Sequence, residues 1–121
     1  MSYPLVHIEF PTLDTKKSLK WYADVLGWET SFDDKMNYGM LKTGADQVGG
    51  GINPLDATQF SAGAVPYVST DNIPALLKKV TASGGKILMD ETEIPTMGTL
   101  AIFTDPDGNR IGVINFPNPG M

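Results

Sequence analysis

The order of β-prone and helical segments repeats along the chain, and this repeat constrains the fold more than any other feature of the sequence. A β-prone run at 5–10 is followed by a helical pattern that stops at Gly27 and by short strand-like runs. A second β-prone run at 64–70 is followed by the same sequence of patterns. Placing His7 over Val65 aligns the two helix ends with little shift in register. The sequence therefore predicts a duplicated strand–helix–three-strand module.

The ends of the two predicted helices carry capping residues. Asp14 or Thr15 can cap the first helix, and Asp71 or Asn72 can cap the second, since these side chains accept hydrogen bonds from free backbone N–H groups. A Gly-Gly pair stops the second helix. The remaining strand predictions cover 28–32, 36–43, 47–54, 86–90, 99–104 and 110–116, with a loop at 91–98.

The stretch "DPDGNRIGVINF" at 105–116 predicts a hairpin turn and the last strand. Pro106 and Gly108 stand at the second and fourth positions of a type I turn, where these residue types are favoured. Gly112 lies in the middle of the strand, although glycine weakens a strand and packs no side chain. The presence of Gly112 therefore needs a reason other than strand stability.

Composition and charge restrict the class of protein. The 121 residues predict one domain, with module 1 at about 3–55 and module 2 at about 63–117. The net charge of −5 argues against a nucleic-acid partner, because phosphate binding needs a basic patch. The absence of cysteine excludes disulfides and thiolate chemistry. Without a signal-peptide pattern or a membrane-length apolar stretch, we expect a cytoplasmic protein that does not bind membranes.

His7 and Glu9 are the residues best suited to carry chemistry. They point to the same face of the first strand because strand side chains alternate with period two. Such a pair can begin a metal site or act in acid–base catalysis. Alternatively, His7 is a part-buried histidine that only bonds its neighbour. Tyr38 and Tyr67 are candidate pocket residues, since each has a polar tip on a predicted strand.

Three segments carry a family resemblance that covers nearly the whole chain. "HIEFPTLDTKKSLKWYADVLGWE" (7–29), "VSTDNIPALLKKVTASGGKIL" (68–88) and "AIFTDPDGNRIGVI" (101–114) resemble glyoxalase/bleomycin-resistance (vicinal oxygen chelate) domains. The resemblance implies an α+β fold in which two βαβββ modules form a curled mixed sheet around a cavity. It also implies a homodimer.

The resemblance also locates the positions that bind a divalent metal in metal-dependent relatives. The first position falls on His7, which is retained, and the third on Val65, which cannot coordinate. The last falls on Gly112, where a glutamate is typical, and the remaining one lies within the "GGGI" run at 49–52. We therefore expect neither a metal nor another cofactor. The chain is most similar to a non-metal branch that shares the features at 50–52, 67–71 and 94–98.

These observations favour a protein that binds a small organic molecule in an apolar cavity. The expected pocket residues are His7, Glu9, Tyr38, Met40, Val65, Tyr67, Phe103 and Gly112. The alternative is a metal-independent isomerase or lyase with His7 or Glu9 as general base. A metal-dependent lactoylglutathione lyase or dioxygenase is disfavoured by the missing ligands. A dimeric domain with a vestigial cavity is the remaining alternative.

Overall fold

The computed structural model describes residues 2–117. The predicted single domain covers residues 1–121, so Met1 and residues 118–121 of that prediction lie outside the described residues. The chain divides into two compact units. The N-terminal unit is Val6–Val65, and the C-terminal unit starts at Pro66 and includes the residues before Val6.

The N-terminal unit is a four-stranded mixed sheet with one helix. The outer strands pair antiparallel in the order β2-β3-β4, and β1 pairs in parallel with β4. Leu19 of the helix packs on Leu41 and Ile52 of the sheet to form this unit's core. The elements are β1 (Leu5–Thr12), α1 (Thr15–Leu26), β2 (Glu29–Asp33), β3 (Tyr38–Lys42) and β4 (Gly49–Pro54).

The C-terminal unit repeats this arrangement. Its strand β5 pairs in parallel with β8, and β8-β7-β6 pair antiparallel. Its helix places Ile73, Leu76 and Leu77 on the sheet to form a second core. The elements are β5 (Val65–Ser69), α2 (Ile73–Ala82), β6 (Lys86–Ile94), β7 (Gly98–Thr104) and β8 (Arg110–Asn115). The prediction of an α+β chain with two βαβββ modules and mixed sheets is confirmed.

Both helices begin at one of the two residues proposed for each cap. The Asp14 side chain accepts a hydrogen bond from the Lys17 N–H at 3.1 Å, and the Asn72 side chain accepts one from the Ala75 N–H at 3.1 Å. Gly27 ends α1 with φ at +72°, a conformation that favours glycine. The caps therefore fix where each helix starts.

The loop predicted at 91–98 is wrong over most of its length. Strand β6 continues to Ile94 and pairs with β7 up to Gly98, which leaves a short turn around Thr96. Residues 91–93 of this extension are exposed, and they carry charged and hydroxyl side chains. The sequence there therefore lacks the apolar alternation that predicts a half-buried strand. Between residues 2 and 117, no helix is long and apolar enough to cross a membrane.

Candidate functional site

Strand β1 presents its two sides to different surroundings. Phe10 packs against the core formed with α1, and His7 and Glu9 point to the opposite face because side chains alternate along a strand. Both are half-buried. The structure therefore brings together the two residues that the sequence singled out for chemistry.

A tyrosine from β3 reaches this pair by crossing the intervening strand. Gly51 of β4 lies between Met40 of β3 and Glu9 of β1 in the sheet register. A Cβ atom at Gly51 would overlap the hydroxyl and ring of Tyr38. The missing side chain thus provides the space through which Tyr38 extends over β4.

The Tyr38 hydroxyl makes hydrogen bonds to both residues of the pair. It donates to Glu9 Oε2 at 2.9 Å, and its oxygen lies 2.9 Å from His7 Nε2. The His7 and Tyr38 rings are stacked, with centroids 6.4 Å apart. Burial lowers the pKa of His7 below its ordinary value of 6.5, since desolvation disfavours the charged ring. Burial therefore favours the neutral form of His7. The three side chains form one polar cluster, which we call the Tyr38 cluster.

The C-terminal unit repeats the contact between a tyrosine and a glycine. Tyr67 of β5 pairs in parallel register with Gly112 of β8, as Glu9 of β1 pairs with Gly51 of β4. A Cβ atom at Gly112 would overlap the Tyr67 ring. The Tyr67 ring therefore occupies the space above Gly112, and it is buried there, since Tyr67 is only 6% exposed. Gly51 and Gly112 are therefore equivalent positions of the two modules.

The remaining predicted pocket residues have different surroundings. Met40 shares the face of Tyr38 and is 45% exposed, whereas Val65 is buried. The structure does not bring Phe103 to the face of Gly112. Phe103 belongs to the core under α2, because its neighbour Ile102 is the residue that pairs with Gly112. Phe103 therefore packs in the core under α2, on the face of β7 opposite to that of Ile102.

The donor set does not fit the divalent metal that the metal-dependent relatives bind. His7 and Glu9 are tied to the Tyr38 hydroxyl, and the positions at Gly51, Val65 and Gly112 offer no donor side chain. A catalytic metal typically needs about three protein ligands. Throughout residues 2–117, no group of three His, Cys, Asp or Glu side chains is placed to hold a metal ion.

Sequence reasoning missed the link between Tyr38 and the pair on β1. Tyr38 was expected in the pocket, but not as the partner of His7 and Glu9. The signal that could have indicated it is the glycine run at 49–51, which leaves a strand without side chains beside a strand that carries a tyrosine.

Comparisons with known proteins agree with this architecture. The model of the Glyoxalase/Bleomycin resistance protein/Dioxygenase superfamily matches residues 5–113. A glyoxylase-like domain-containing protein of Didymella fabae is 26% identical over 117 residues, with 91% of each chain covered. The Mycobacterium bovis protein CFP32 is 31% identical over 100 residues, which cover 80% of this chain and 38% of that protein.

Among solved structures, the methylmalonyl-CoA epimerase of Mycobacterium tuberculosis superposes with a TM-score of 0.67. The superposition covers 92% of this chain and 86% of the epimerase, at 15% sequence identity. At this identity the likeness shows a shared fold.

Proposed function

Because the chain belongs to the glyoxalase/bleomycin resistance protein/dioxygenase superfamily, we propose that it binds a small organic molecule without a metal ion. The ligand contacts the face of the N-terminal unit that carries His7, Glu9, Tyr38 and Met40. The observation that carries this proposal is the Tyr38 cluster, in which one hydroxyl engages both His7 and Glu9.

The chemistry of this face suits a neutral or hydrogen-bonding ligand group. The cluster offers an imidazole, a phenol and a carboxylate at half-buried positions, where hydrogen bonds are less weakened by water than at the surface. The exposed Met40 side chain adds a flexible apolar contact on the same face. A few placed polar groups beside apolar surface are typical of small-molecule sites.

The C-terminal unit offers an apolar surface of its own. Ile102 and Ile114 lie on the face of Gly112, because Ile102 pairs with Gly112 and Ile114 follows it by two residues in β8. Both side chains are half-buried. We propose that this face, with Tyr67 and Val65, also contributes to small-molecule binding.

A thermal-shift screen of small organic molecules, run with and without a chelator, tests the proposal. We expect a ligand that raises Tm equally in both conditions. The Tyr38→Phe variant should lose part of the shift, whereas Tyr22→Phe, which changes a tyrosine in the helix-side core, should keep it. A shift that disappears with chelator would contradict metal-independent binding.

A second candidate function is metal-independent proton transfer of the isomerase or lyase type. The neutral state of His7 favours it, since a general base must be unprotonated at the working pH. Here His7 or Glu9 removes a proton from a carbon next to a carbonyl group and returns it to another position or face. His7→Ala should abolish turnover in such an enzyme, whereas in a protein that only binds it should weaken ligand affinity without abolishing it.

Assembly and location remain predictions from the sequence. We propose a homodimer, as the family resemblance implies, and a cytoplasmic location. Sedimentation analysis of the full chain tests the first, since a monomer at all concentrations would contradict it.

A further inference from the structure

The two hydrogen bonds of the Tyr38 hydroxyl fix where the proton of His7 lies. A phenol has one O–H, and the Tyr38 hydroxyl donates it to Glu9 Oε2 at 2.9 Å. In the second hydrogen bond, 2.9 Å long, the Tyr38 oxygen must then accept, and the Nε2–H of His7 donates. A neutral imidazole has a single N–H, so Nε2 carries the proton and Nδ1 carries the lone pair.

The sheet holds this arrangement in place from three adjacent strands. His7 and Glu9 lie two residues apart on β1, and Tyr38 reaches both from β3 over Gly51. The stacked ring contact with His7 further restricts the imidazole orientation. Each partner therefore limits the rotation of the other two.

We propose that Tyr38 is the positioning residue of this site and holds His7 as the Nε2-protonated tautomer. The basic nitrogen that His7 contributes is then Nδ1, and Nε2 serves as a donor within the cluster. This role in ligand binding or proton transfer rests on the proposed function. The position of the proton itself is tested without any ligand.

The experiment is nitrogen-15 NMR of the imidazole in the ligand-free full chain. His7 is the only histidine, so its ring signals need no assignment. The two nitrogens are told apart because the ring Hδ2 proton couples strongly to Nε2 and weakly to Nδ1. Tyr38→Phe removes the acceptor, and Tyr22→Phe is the matched control, since it deletes a hydroxyl on the helix side of the same unit.

We expect one tautomer in the wild type, with Nε2 protonated and its proton protected from exchange with water. In Tyr38→Phe we expect this proton to exchange at least about ten times faster, since its hydrogen bond is lost. Tyr22→Phe should match the wild type. A wild-type spectrum with Nδ1 protonated would overturn the proposal.

An unchanged Nε2 proton in Tyr38→Phe would also overturn it. Failure of the ligand screen leaves these spectra unaffected, so the two proposals can fail separately.

Discussion

The Tyr38 ring lies across Gly51, and this contact connects strands β3 and β1 over the backbone of β4. The hydroxyl thereby reaches His7 and Glu9, which are 31 and 29 residues away in the sequence. In the second module, Tyr67 covers Gly112 from the parallel neighbouring strand β5. Two equivalent glycines thus make room for aromatic rings.

Gly51→Ala should displace Tyr38 while the fold is retained. The new methyl group overlaps the far end of a half-buried side chain, which can turn toward solvent. The expected loss is about 1–3 kcal/mol of unfolding free energy, since two hydrogen bonds are lost and each is worth roughly 0.5–1.5 kcal/mol net. Urea unfolding and the His7 NMR signals measure the two effects.

Gly49→Ala is the matched control on the same strand. Its Cβ would meet only the Leu41 carbonyl oxygen, at 3.9 Å, so the His7 signals should match the wild type. Unchanged His7 signals in Gly51→Ala would contradict the role assigned to this glycine.

Gly112→Ala should destabilise the protein more than Gly51→Ala does. Tyr67 is buried, so its ring cannot move aside as freely as that of Tyr38. Overpacking of this kind costs about 1–3 kcal/mol. Urea unfolding of Gly112→Ala, Tyr67→Ala and the double variant tests this, because the double variant should lose less than the sum of the two. Additive losses would show that the ring and the new methyl group do not collide.

Phe103→Ala and Met40→Ala should differ in their effects on stability and on ligand binding, because Phe103 lies in the core and Met40 on the proposed binding face. Phe103 is 7% exposed and packs under α2, so its truncation should cost about 3–5 kcal/mol. Met40 is exposed, so its truncation should change stability by no more than about 0.5 kcal/mol. With a ligand from the screen, only Met40→Ala should weaken binding while the fold stays intact. Equal losses of stability would contradict these placements.

The folding free energy should depend on pH through His7. Its pKa is lowered in the folded state, so the unfolded chain binds a proton there at higher pH. Stability from this group is present above pH 6.5 and is lost as the pH falls from 6.5 toward the folded pKa. Urea unfolding of wild type and His7→Gln between about pH 7.5 and 5 should show a steeper decline in the wild type. Parallel declines, or an NMR pKa at or above 6.5, would contradict the burial of His7.

The architecture could be predicted from the sequence because strand patterns, helix patterns and helix caps are each set by residues that are close together in the chain. The first helix stops at Gly27 as predicted, and the second stops at Ser83, one residue before the predicted Gly-Gly pair. Each helix is capped by one of its two candidates. The common face of His7 and Glu9 followed from strand alternation alone.

The Tyr38 cluster and the face of Phe103 depend on information that local sequence does not contain. Tyr38 meets His7 only through the register of three strands, and no local pattern sets that register. In β7, residues of both faces are apolar, with Leu100 and Ile102 alternating with Ala101 and Phe103. Hydrophobic alternation therefore cannot say which face packs under α2.

Metal uptake by the purified protein decides whether His7 and Glu9 hold a divalent ion or remain bonded to Tyr38. The protein is incubated with Zn²⁺, Ni²⁺, Mn²⁺ or Fe²⁺, desalted, and assayed for bound metal while the His7 NMR signals are recorded. Within residues 2–117 no three metal-ligating side chains are placed together, and a catalytic site needs about three, so we expect less than about 0.1 metal ion per chain and unchanged His7 signals. One tightly bound ion per chain, with the His7 signals shifted, would contradict this expectation.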